Sequence, residues 1–142
     1  MTPTLVGRIQ TRIFLVLVIG IPWTLLIGPV LPRPEGASLG DLYEVLLTAV
    51  IVVAVAGIAW ELLYQWLQQY RWEKDWPTLF GLITGVPEGI STYLILLAFG
   101  FDVDTGAFLI QFITLWLLVW LVANGPMRVV FLRWRFRGGR LL

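Results

Sequence analysis

The 142-residue chain contains no cysteine and no histidine. These two absences exclude a disulfide framework, a zinc finger, a histidine-ligated haem, a cysteine nucleophile and a histidine general base. Charge is scarce as well: 13% of residues are charged, against about a quarter in ordinary soluble domains. In their place stand hydrophobic residues, 58% of the chain, with a mean hydropathy of +0.85. A core of this size cannot absorb that much apolar surface, so the excess must face a bilayer.

Runs free of charge locate the crossings, because an ionised side chain at mid-membrane costs at least ~2.5–3.5 kcal/mol. Twenty uncharged residues run from Ile13 to Pro32, sixteen from Val45 to Trp60 and twenty-three from Thr105 to Met127. Between Asp75 and Asp102 the only interruption is Glu88. A helix needs about 20 residues to cross ~30 Å of hydrocarbon. The expected fold is therefore all-α: a single polytopic membrane domain with four spans near 12–32, 42–66, 77–100 and 106–127, and a basic tail over 128–142. Span one resembles a signal peptide at first sight, but its apolar run exceeds the usual 7–15 residues and no clean cleavage site follows, so it is read as retained.

Nine of the ten basic residues fall on one side of this plan: Arg8, Arg12, Arg71, Lys74, Arg128, Arg133, Arg135, Arg137 and Arg140. The positive-inside rule then puts both termini in the cytoplasm. Trp60, Tyr64, Trp66, Tyr70, Trp72 and Trp76 cluster at the same level, as an interfacial belt would. The stretch 61–75 is expected to prolong span two as a helix, with Gln65, Gln68 and Gln69 on one face toward water. Nine arginines against one lysine hint at a GC-rich bacterial source, hence an inner-membrane location.

Span three holds the most informative residues. Gly81, Gly85 and Gly89 recur every fourth position and form one row where a neighbouring helix can approach closely. Pro87 lacks a backbone N–H and crowds the carbonyl four residues back, which predicts a kink or break. Glu88 lies beside it near the bilayer centre, with Thr84 and Thr92 one turn to either side. It is a candidate for ion binding or for pairing with a partner, with Thr84 or Gln111 as hydrogen-bonding neighbours. A single acid cannot relay protons alone, and no cation of the chain is expected at its depth. A structural role, with the carboxyl either kept neutral and hydrogen-bonded to Thr84 or Gln111 or paired with a partner's Arg or Lys, is therefore the preferred reading, and a conducting carboxylate the alternative. Glu61 is read as a hydrated interfacial carboxylate, and Gln111 and Asn124 as interhelical hydrogen-bonding groups. Trp23 and Trp116 are read as rings packing on small residues, with Ala49, Ala54, Ala56 and Gly57 as candidate surfaces.

The tail carries five arginines within thirteen residues, interleaved with aromatics. Arg128, Arg133, Trp134, Arg135, Arg137 and Arg140 suit docking on anionic lipid or an acidic partner. Nucleic acid is a poor match for so short a tail. Ser91, Thr92 and Tyr93 lie near Glu88, but no base stands beside a nucleophile and no metal-binding cluster exists, so an enzyme is not expected. No cofactor is predicted beyond bound lipid. The expected role is an accessory or scaffold subunit of a larger inner-membrane complex, associating with other subunits or with itself. A homo-oligomeric ion or proton channel, or a small transporter using Glu88, is the alternative.

Overall fold

In a computed structural model of the chain, residues 2–73 and 76–142 are described. Lys74 and Asp75, part of the basic loop and of the expected helical extension, lie outside them. Four helices are long and apolar enough to cross a membrane: Leu5–Val30, Leu39–Gln68, Thr78–Ala98 and Thr105–Val130. They run antiparallel in chain order, so both termini share one end of the bundle (the terminal end) with the close of the second span and the start of the third. The two remaining loops lie at the far end.

The first span comprises α1 (Leu5–Leu15), a widened π turn (Val16–Gly20), α2 (Ile21–Ile27) and a short 3-10 turn to Val30. Thr4 caps α1 by accepting from the Gly7 amide. The helix starts at Leu5 rather than near 12, because Arg8 and Arg12 are taken inside it instead of marking its edge. Pro22 explains the wide turn. It offers no N–H to the carbonyl of Val18 and its ring crowds that carbonyl, and a π turn relieves the clash.

The second span is the single helix α3 (Leu39–Gln68). A reciprocal capping box of Ser38 and Asp41 starts it. At 30 residues it is about 45 Å long, more than the hydrocarbon layer requires. It stops at Gln68, short of the expected 75. The third span is divided into α4 (Thr78–Ile83) and α5 (Gly85–Ala98), with the interruption at Thr84, one turn before Pro87. The fourth is α6 (Thr105–Asn124), capped by Asp104 on the Ala107 amide, followed by α7 (Pro126–Val130).

Apolar layers hold the four spans together. The central one joins Val16, Val50, Val53, Leu96, Phe112 and Leu115 from all four. Leu31, Leu42, Leu46 and Ala107 close the far end. The glycine row of span three is filled from within the chain. The Trp116 indole lies where a Cβ on Gly85 would sit, Phe112 does the same at Gly89, and Trp120 stands 3.7 Å from that position at Gly81. Phe108, Phe112 and Trp116 stack in sequence along α6 to form that filling surface.

The tail folds back across the terminal end. Gly138 O accepts from the Thr4 amide at 2.8 Å, Gly139 O from the Thr11 hydroxyl at 2.9 Å, and the Leu141 amide donates to Gln10 at 2.9 Å. The Trp134 indole donates to the Thr11 hydroxyl, also at 2.8 Å. Gly138 and Gly139 both have left-handed backbone, with φ of 63° and 86°. Gly7 faces them so closely that a Cβ there would overlap the Gly138 carbonyl. The segment is thus a strap tied to α1.

A candidate intramembrane charge site

Glu88 is the eleventh residue of the 21 in Thr78–Ala98, the midpoint of the span. It is 2% exposed. Its partner is Arg12 of α1, which the sequence reading had placed at an edge. The Arg12 guanidinium meets both Glu88 oxygens, Nη1 with Oε2 at 2.6 Å and Nη2 with Oε1 at 2.9 Å. The same guanidinium binds Glu61 of α3, from Nη2 at 2.6 Å and from Nε at 2.9 Å. Nη1 also reaches the carbonyl of Val53 at 3.4 Å. A guanidinium has five N–H groups, and these contacts use all five. The bidentate geometry toward Glu88 is one only arginine provides.

Arg8 stands one turn nearer the terminus. Its Nη1 is 3.4 Å from Glu61 Oε2, and its Nη2 donates to Gln68 at 2.5 Å. Its guanidinium lies 4.6 Å over the Trp76 ring. Two arginines and two carboxylates thus make a neutral set spanning α1, α3 and α5. The arrangement answers the desolvation that each ion would suffer alone, several kcal/mol. Gly57, one turn from Glu61 on α3, makes the room: a Cβ there would overlap the Arg12 guanidinium.

Three readings of the sequence are corrected here. A cation of the chain does stand at Glu88. Glu61 is 7% exposed and ion-paired, not a hydrated interfacial group. Gln68 is 3% exposed and receives Arg8 instead of facing water. The remaining candidates are spread more widely. The Thr84 hydroxyl donates to the Gly81 carbonyl, and Thr92 is buried on α5. Gln111 donates to Thr24 at 3.0 Å, joining spans one and four rather than reaching Glu88. Asn124 bonds the Trp120 carbonyl and Arg128, along its own span instead of across spans. Trp116 packs on Gly85, while Gly57, read as a ring surface, serves Arg12. The Ser91 hydroxyl donates to the Glu88 carbonyl and accepts from Trp60. Arg128, Arg133, Arg135, Arg137 and Arg140 are all exposed, whereas Trp134 is buried beneath the strap.

Arg8, Arg12, Gly57 and Gln68 were not read as site residues, yet their spacing carries a signal. Arg8 and Arg12 are four apart, Gly57 and Glu61 four apart, and Glu61 and Gln68 seven apart. Each interval keeps its pair on one helical stripe, so α1 offers a cationic stripe and α3 an acceptor stripe.

Between α1 and the halves of α4 and α6 near the terminal end lies a cavity of about 460 Å³. Arg8, Arg12 and Glu61 form one wall, and Trp76, Trp116 and Trp120 line it opposite. Its inner end is closed by Val16, Val53, Phe112 and Leu115 of the central apolar layer. Arg128, Pro3 and Gly139 border it toward the tail. Among the described residues, no group of three or more acidic, Cys or His side chains is placed to hold a metal ion. Compared with known protein families, curated proteins and solved structures, the chain matches none.

Proposed function

We propose that the chain is a multi-pass protein of a bacterial inner membrane, with both termini in the cytoplasm, and that it serves there as an accessory or scaffold subunit of a larger membrane complex. The observation that carries this reading is the saturated Arg12. All five of its N–H groups are engaged, Glu88 has both oxygens bound by it, and an apolar layer lies between this set and the far end. Such a set braces three helices against one another, and it leaves no carboxylate oxygen of Glu88 without a donor. The glycine row and Trp134 serve internal packing, so the surface left for partners or anionic lipid is the exposed arginine set of the tail. Gentle detergent extraction from the native membrane, followed by native mass spectrometry, tests the proposal. Different chains in fixed ratio support it, and a lone monomer sinks it.

The competing reading is a homo-oligomeric channel or transporter that uses Glu88. It draws on the cavity, which brings the terminal end of the bundle to the ion pairs. It requires a ring of identical chains in the same experiment. It also requires proton or cation flux in liposomes that Glu88→Gln abolishes.

A further inference from the structure

The cavity beside the charge site has a chemistry of its own, independent of whether the chain has protein partners. Among the described residues, its polar wall carries three cations, Arg8, Arg12 and Arg128, against one carboxylate, Glu61. Glu88, behind Arg12, supplies one further negative charge, which leaves the five groups at +1. The Arg8 side chain is only 7% exposed, and its Nε–H has no hydrogen-bond partner. That nitrogen is closed off from the cavity, so Arg8 acts on a ligand there through its charge. The facing wall offers ring surface rather than donors, because the Trp116 and Trp120 indole N–H groups are already spent on the carbonyls of Gly81 and Thr78. A volume of about 460 Å³ falls in the range of small-ligand sites.

We propose that this cavity is a specific site for an anionic phospholipid of the leaflet on the side of the termini. Its phosphate lies in the field of Arg8 and Arg12 and faces Arg128, and the first part of an acyl chain lies on Trp116 and Trp120. Arg128 lines this site, whereas the tail arginines from Arg133 to Arg140 attract an anionic surface without a cavity. The proposal rests on the reading that the four helices cross a bilayer. If the chain is soluble without detergent that reading fails, whereas the lipid competition below strikes the site alone.

The test is native mass spectrometry of the full chain in a neutral detergent, with phosphatidylglycerol, phosphatidylcholine and soluble glycerol phosphate in turn. One phosphatidylglycerol is retained per chain, in preference to phosphatidylcholine. Arg128→Gln weakens retention about fivefold, and Arg33→Gln, an exposed arginine at the far end that does not line the cavity, leaves it unchanged. Ala123→Phe, which fills the cavity wall, abolishes it while circular dichroism stays helical. Should Ala123→Phe fail to fold, the contrast between Arg128→Gln and Arg33→Gln decides. Equal retention of the two lipids overturns the proposal, as does equal weakening by the two arginine variants. Displacement of the lipid by glycerol phosphate at equal concentration overturns it too, since a free anion would then suffice.

Discussion

Arg12 and Glu88 are 76 residues apart in sequence, yet the guanidinium of one grips both carboxylate oxygens of the other at the middle of the third span. Glu61 shares the same guanidinium, so the three side chains stand or fall unequally. Arg12→Ala leaves two buried carboxylates without their shared cation, a loss of about 3–5 kcal/mol. Glu88→Gln keeps an acceptor for Arg12 and leaves Glu61 to neutralise it, at about 1–2 kcal/mol. Thermal unfolding in detergent, followed by circular dichroism, should rank Arg12→Ala well below Glu88→Gln. Equal losses would show that packing, not charge, sets the stability of the site.

The glycine row predicts a gradient. A methyl group at Gly85 or Gly89 would press into the rings of Trp116 and Phe112, at 2.6 and 2.8 Å, whereas at Gly81 it meets Trp120 at an ordinary 3.7 Å. Gly85→Ala and Gly89→Ala should each destabilise by about 1–3 kcal/mol, with Gly81→Ala close to neutral. The same unfolding experiment checks this, and a uniform response along the row would contradict it.

Gln111 and Thr24 make an asymmetric pair. The Thr24 hydroxyl donates to the Gly20 carbonyl and accepts from Gln111, so it keeps a partner when Gln111 is replaced. Thr24→Val strands the buried Gln111 amide and should cost about 1–3 kcal/mol, while Gln111→Leu should cost less than 1 kcal/mol. Comparing the two unfolding midpoints measures the difference, and the reverse order would refute the assignment.

The strap depends on the absence of a side chain at Gly7. Gly7→Val places carbon atoms on the Gly138 carbonyl and should release the tail without unfolding the bundle. Hydrogen exchange read by mass spectrometry should then be faster over 138–142, where the Leu141 amide is normally held by Gln10. Unchanged exchange would mean that the tail is anchored elsewhere.

The four helices were legible because span length is set by hydrocarbon thickness, and an apolar run of that length has few other uses. The same logic hid the charge site. It treats every ionised residue as an edge, and Arg8 and Arg12, at the start of an apolar run, fitted that role. Nothing local reports that Arg12 meets carboxylates 49 and 76 residues away. Pro87 is different, since its effect on the helix is confined to the preceding turn, where α4 gives way to α5. The tail was misjudged for the reason Arg12 was. Trp134 and the glycines after it look like a free basic arm until Thr4, Gly7 and Thr11 are set beside them.

The π turn in the first span has a consequence for phase. An α-helix rotates about 100° per residue, so the twelve steps from Arg12 to Thr24 would leave these side chains about 120° apart. The wide turn absorbs roughly one residue and brings that difference to about 20°. The span is in effect two screws cut to different threads, and the joint between them lets one helix address carboxylates with its first half and Gln111 with its second. Removing one residue from 16–20 would leave eleven ordinary α-helical steps and the same phase of about 20°, so the joint can give up its extra residue. Wound as a plain α-helix at its present length, the span would instead turn its outer half by a full step and give up one of its two polar attachments.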